Sequence, residues 1–84
     1  MTLKIVAIFD QATESFGRPI FVPHVGQSIR SFMDELRKPD SELSLHPGDY
    51  SLFELGDFDE RFGTFNGHTA PRRLASGSDF VSKP

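Results

Sequence analysis

The sequence predicts an α+β domain in which one amphipathic helix packs on a small, mainly antiparallel sheet of three to four strands. Three stretches carry this expectation. They are the almost continuous apolar run LKIVAIF at residues 3–9, the helical stripe within QSIRSFMDELRK at 27–38, and the strand-like part of HPGDYSLFELGDFDERFG at 46–63. The order read along the chain is strand, strand, helix, strand, strand, then an irregular C-terminal tail. One helix over a few antiparallel strands is the simplest arrangement that buries the helix's apolar face. Eighty-four residues hold one domain, with 1–70 as the compact core and 71–84 as the tail. A chain this short buries roughly 60–65% of its unfolded surface, so stability is modest and a homo-oligomer, a dimer above all, is expected.

Residues 3–9 are branched and apolar at nearly every position, the pattern of a strand buried on both faces. Residues 10–17, DQATESFG, are polar, end in Gly and read as a connecting loop. Residues 18–24, RPIFVPH, regain strand composition, but Pro19 and Pro23 cannot donate to a ladder. That places them at a sheet edge, or confines a short strand between the prolines. In the helix, Ile29, Phe32, Met33 and Leu36 fall at i, i+3, i+4 and i+7 on one face. Gln27 or Ser28 takes the N-cap, Arg37 and Lys38 oppose the C-terminal dipole, and Pro39 stops the helix.

In the loop at 39–49, Leu43 and Leu45 pin the chain to the core, and Pro47 biases His46 to an extended backbone. Pro47-Gly48 suits the centre of a type II turn, with Gly48 at positive φ. Tyr50 to Leu55 follows as a strand, with Phe53 and Leu55 on the face opposite Leu52. Asp59-Glu60-Arg61 with Gly63 reverses the chain into a short partner strand around Phe62 and Phe65. Past Asn66-Gly67 the chain is turn-rich, and residues 76–84 read as loosely ordered.

Net charge is −3, but its distribution says more. Residues 40–60 hold seven acids and no base, whereas 61–84 hold four bases against Asp79 alone. Such segregation can place opposite potentials on two faces. The chain has no Cys, which removes disulfides and thiol chemistry and fits a reducing cytoplasm. The apolar run at the N-terminus is too short for a membrane span and lacks a signal-peptide cleavage pattern, so the sequence predicts a soluble protein.

No catalytic constellation is legible. Asp57, Asp59 and Gly63 suggest part of a calcium loop, but the sixth and twelfth positions from Asp57 are Phe62 and His68, not Gly and Glu. His24, His46 and His68 lie on separate loops without ligand-pair spacing. No Ser sits in a nucleophile elbow and no Gly-rich phosphate loop exists. Neither an enzyme nor a cofactor or metal site is expected. Single-stranded nucleic acid binding remains, because it wants aromatic rings interleaved with bases. Most of the ten aromatic side chains are needed for the core. Phe16 beside Arg18, Tyr50 after the turn, Phe62 beside Arg61, and the pair Arg72-Arg73 are the candidates left.

The motifs in order resemble a known family. Asp10 ends the first strand, and Arg18-Pro19 opens the second. Arg30 with Phe32 lies in the helix, followed by His46-Pro47 with Asp49-Tyr50, Leu52 with Leu55-Gly56, and Phe58-Asp59. This order resembles the small nonstructural protein of gokushovirus-type microviruses, tiny single-stranded DNA phages, over nearly the whole chain. Phe21 stands where an aromatic one residue earlier is equally at home, and Gly48 stands where Glu is frequent. The resemblance implies a nonstructural protein of the host bacterial cytoplasm, absent from the mature virion. It implies non-catalytic binding of single-stranded DNA during viral DNA replication or the switch to packaging. Arg18, Arg30, Arg37, Arg61, Arg72, Arg73, Phe16 and Tyr50 are the nucleic-acid candidates, chosen by chemistry. The alternative is a regulator that contacts the phage replication initiator or a host replication protein without touching DNA. Arginines on one shared face would favour DNA; scattered arginines would favour the regulator.

Overall fold

The computed structural model describes residues 2–80. Strand β1 (Thr2–Asp10) is central. The two-residue β2 (Ser15–Phe16) and three-residue β3 (Ile20–Val22) pair with its outer edge, and helix α1 (Val25–Arg37) follows. A short α2 (Glu42–Leu45) and a single 3-10 turn (Pro47–Asp49) lead into the hairpin of β4 (Tyr50–Asp59) and β5 (Thr64–Ser76). All pairings are antiparallel, and the sheet runs β2 and β3, then β1, β4 and β5. The α+β class, the edge strand between two prolines and the doubly buried first strand are as expected. Ile5, Val6 and Ala7 are all buried, although neighbours in a strand point to opposite faces.

Helix α1 covers one face. Phe32 and Leu36 are buried against Val6, Leu52 and Ala75, with Ile8, Val22, Ile29 and Tyr50 packed around them. The helix starts two residues earlier than Gln27. His24 stands at its N-cap without a side-chain cap, while Ser28 is buried inside the first turn and donates its Oγ hydrogen to the Val25 carbonyl at 2.7 Å. Pro39 follows the C-terminus as expected. Ser41 links the end of α1 to α2: its Oγ donates to the Glu35 carbonyl and accepts the Ser44 amide.

Three local expectations are corrected. Gly48 does not take positive φ; Pro47–Asp49 winds as a 3-10 turn, and Gly63 at φ +68° is the positive-φ glycine among the described residues. The polar linker contains β2, because Phe16 pairs with Phe9 across a tight turn. The strand after the hairpin is long rather than short: β5 continues through 71–76, the first part of the expected tail, and Phe62 lies in the turn itself. Gly77–Phe80 forms a further 3-10 turn, and the rest of the expected tail, 81–84, lies outside the described residues.

One irregularity governs how side chains are distributed. From Asp10↔Tyr50 to Val6↔Glu54, β1 and β4 pair step for step; the next pair is Ile5↔Gly56. Leu55 has no partner on β1, so a β-bulge sits there and the alternation of β4 resets. Phe53 and Phe58 are an odd number of residues apart, yet both face away from the helix. Gly56 follows it at a close backbone approach, where an added Cβ would collide with the Asn66 carbonyl oxygen and lie 2.9 Å from Gly67 Cα. Gly56→Ala therefore destabilises the domain by about 2 kcal/mol or more, outweighing the chain-entropy gain of losing a glycine. Thermal unfolding should show a Tm lowered by about 8–16 °C; an unchanged Tm would contradict the close approach.

Candidate nucleic-acid interface

The sheet face opposite α1 is uncovered and aromatic. Phe9, Phe16 and Phe53 form one triad, with ring centroids 4.9, 6.1 and 5.5 Å apart. Phe21, Phe58 and Phe65 form a second, at 5.5, 6.1 and 4.9 Å. The rings meet edge-on or tilted, the arrangement their quadrupoles prefer. Between the triads, Ile5 and Ala7 are buried without help from the helix. Phe16, Phe21 and Phe65 remain 40%, 44% and 64% exposed. Along β4 the triads stand roughly 15 Å apart.

The acids of β4 are turned the other way and have local partners. Asp57 pairs with Lys4 at 3.0 Å. Glu54 is 5% exposed, and its Oε2 lies 2.6 Å from His68 Nε2. Asp59 holds the hairpin turn, its Oδ1 accepting the Arg61 and Phe62 amides while its carbonyl accepts the Gly63 amide. Because these acids share the helix-side face, no Asp or Glu at a paired strand position projects from the aromatic face. Glu54, Asp57 and Asp59 thus have structural partners, and no acids of the stretch are grouped as a cation site among the described residues.

The candidate residues are not brought together. Phe16 belongs to the first triad, and Arg73, opposite Phe53 in the ladder, projects from the same face. Arg61 sits at the hairpin tip, its guanidinium 5.8 Å from the Phe62 ring centroid. Arg72 pairs opposite Glu54 on the helix side. Adjacent residues of a strand face opposite ways, so the Arg72-Arg73 pair is split. Arg18 lines a cleft beside α1, Arg30 is exposed on the helix, and Arg37 makes a loose pair with Asp34 at 3.9 Å. Tyr50 packs on the core. Phe9, Phe21, Phe53, Phe58 and Phe65 were not selected from the sequence. Phe65 joins this face once β5 is known to be a strand, and Phe58 only through the bulge at Leu55.

Tyr50 sits among carboxylates. Desolvation by burial, then Asp10, Glu42 and Asp49, raises its pKa from the ordinary 10.0. Those acids make its surroundings repulsive to phosphate. Because Tyr50 is the only tyrosine and the chain has no Trp, ultraviolet titration reads it alone. The phenol should ionise above 10.0, and in the denatured protein at its ordinary value. Equal midpoints in the two states would contradict this placement.

Fold and site together define a small α+β domain whose distinguishing feature is an open phenylalanine face with no carboxylate at its paired strand positions. The chain belongs to the Phage ORF5 protein family, whose model matches residues 3–80, and it is a phage protein. No curated protein and no solved structure matches the chain.

Proposed function

We propose that this is a nonstructural protein of a microvirus, of the gokushovirus type, that binds single-stranded DNA without catalysis by stacking bases on the open sheet face. It would act stoichiometrically in the host cytoplasm, during replication or the switch to packaging. The observation that carries this reading is six phenylalanines on one uncovered face from which the sheet's acids are turned away. Aromatic platforms on sheets accept bases of any sequence, each stacked base contributing about 1–3 kcal/mol. Arg73 on that face and Arg61 at its end supply the cationic contacts.

This arrangement accounts for binding by an acidic protein. Net charge of −3 opposes long-range attraction, but stacking is a short-range contribution and does not depend on counterion release. With two arginines near the face, the slope of log K against log salt is about −1.4, the single-strand coefficient being about 0.7 per phosphate.

The scattered arginines favour a second reading, in which the same face docks on a replication protein. Exposed aromatic patches rimmed by polar residues serve protein contacts as well.

Fluorescence anisotropy of a labelled thymidine oligonucleotide at two salt concentrations separates the two. The DNA reading predicts binding with a shallow salt slope, weakened by a factor of about 5 to 160 by Phe65→Ala, from the value of one stacked base. Arg73→Ala should weaken binding and reduce the slope, whereas Arg72→Ala, on the other face, should leave both nearly unchanged. No binding at low salt by folded protein would eliminate the DNA reading and leave the protein contact.

A further inference from the structure

A cleft of about 410 Å³ opens between α1 and the outer edge of β1. It exists because the edge strand is interrupted: β2 ends at Phe16, β3 begins at Ile20, and Gly17-Arg18-Pro19 bridges them. Ile8, Ile20, Phe32 and Leu43 make its apolar walls, and the lining also carries one base and one acid, Arg18 and Glu35. At the far end of the hairpin is the turn Glu60-Arg61-Phe62-Gly63. Its Phe62 is 73% exposed, more than any other large apolar side chain among the described residues. The Asp59 carboxylate and carbonyl fix this turn, so the backbone that presents the ring is already ordered before docking.

We propose that Phe62 at the hairpin tip docks into the cleft of a second copy, head to tail, with Arg61 meeting Glu35 and Glu60 meeting Arg18. The charges are complementary in kind: an acid and a base, Glu60 and Arg61, directly precede the ring, and a base and an acid line its receptor. Among the described residues Arg18 and Glu60 make no ion pair. Glu35 makes only an exposed pair with Lys38 at 3.2 Å, which costs little to give up. The tip cannot reach its own cleft, which lies roughly 25 Å back along the hairpin. Edge-to-edge pairing is a poor alternative route. Pro19 and Pro23 blunt one sheet edge, and Pro71 with the irregular pairing of β5 blunts the other.

The contact is small. A buried aromatic ring removes about 150–250 Å² from water, against about 800 Å² per partner in a stable interface. Free copies therefore stay largely apart and associate when something holds them close. If the DNA reading is right, on which this part of the inference rests, the polynucleotide supplies that local concentration. A head-to-tail contact joins different surfaces of the two copies, so it extends into an array unless its rotation closes a ring. Such an array leaves the aromatic face of every copy open and makes binding along a strand cooperative.

The chain has no Cys, so engineered thiols are the only ones present. Thr64→Cys places one beside the tip with Phe62 retained, and Ser31→Cys places one on the cleft wall; both positions are exposed. The two variants, made as proteins of different mass, are mixed under mild oxidation with and without a thymidine oligonucleotide. The proposal predicts that the mixed disulfide forms faster than either homodimer. Adding Phe62→Ala to the Thr64→Cys protein should slow it about tenfold, the effect of about 1.4 kcal/mol of lost docking energy. The oligonucleotide should accelerate it. A Phe62-dependent mixed disulfide that the oligonucleotide does not accelerate would support the docking and count against the DNA reading. A mixed disulfide no faster than the homodimers, or indifferent to Phe62→Ala, would overturn the docking.

Discussion

The bulge at Leu55 is the constraint on which the rest of the molecule depends. In an unbroken strand Phe53 and Phe58 would face opposite ways, and so would Glu54 and Asp57. By leaving Leu55 without a partner on β1, the strand returns both phenylalanines to the face away from the helix and sends Glu54, Asp57 and Asp59 to the other. Gly56 next to it allows the backbone of β5 to come close. A single unpaired residue thereby sorts a stretch that mixes acids and aromatics into two chemically distinct surfaces.

What each surface does follows from that sorting. On the helix side the near half is covered by α1 and forms the core, while the far half carries Lys4 with Asp57 and His68 with Glu54. Glu54 is nearly enclosed, and a carboxylate so placed needs its partner, since an unpaired buried charge is far more costly than an exposed one. On the other side the phenylalanines pack on one another, with Arg73 opposite Phe53, and Phe16, Phe21 and Phe65 stay exposed. The resulting molecule is elongated, 46 × 23 × 20 Å, with an aromatic sheet face, an apolar cleft beside the helix and an exposed ring at the hairpin tip. A surface with few charges and several exposed rings holds its partner by contact area and stacking rather than by long-range field. That is how an acidic chain can still serve a nucleic-acid or protein partner.

Much of this was legible in the sequence where periodicity is regular. The doubly buried run LKIVAIF, the stripe Ile29, Phe32, Met33 and Leu36, and the prolines that limit the edge strand all act as their local chemistry dictates. The misreadings share one cause: a residue whose conformation is set by a distant partner. Gly48 adopts a 3-10 turn in a segment tied to the first hairpin by the Gln11 amide on the Asp49 carbonyl. The polar, Gly- and Pro-containing residues of β5 are held in a strand by β4, not by their own propensity. The arginines at 72 and 73, adjacent in sequence, are separated by strand alternation that becomes visible only once β5 is known to be a strand. The bulge itself leaves no mark that a count of alternating residues can detect.

The most direct test of the account is the nuclear Overhauser contact pattern of β4 in solution, with the phenylalanine rings selectively labelled. The account predicts contacts from the Phe58 ring to the rings of Phe21 and Phe65, with the Lys4 side chain meeting Asp57 on the opposite face. Contacts from the Phe58 ring to the Lys4 side chain, with Asp57 on the side of Phe53, would mean that no bulge resets the strand. The acid-free aromatic face would then not exist.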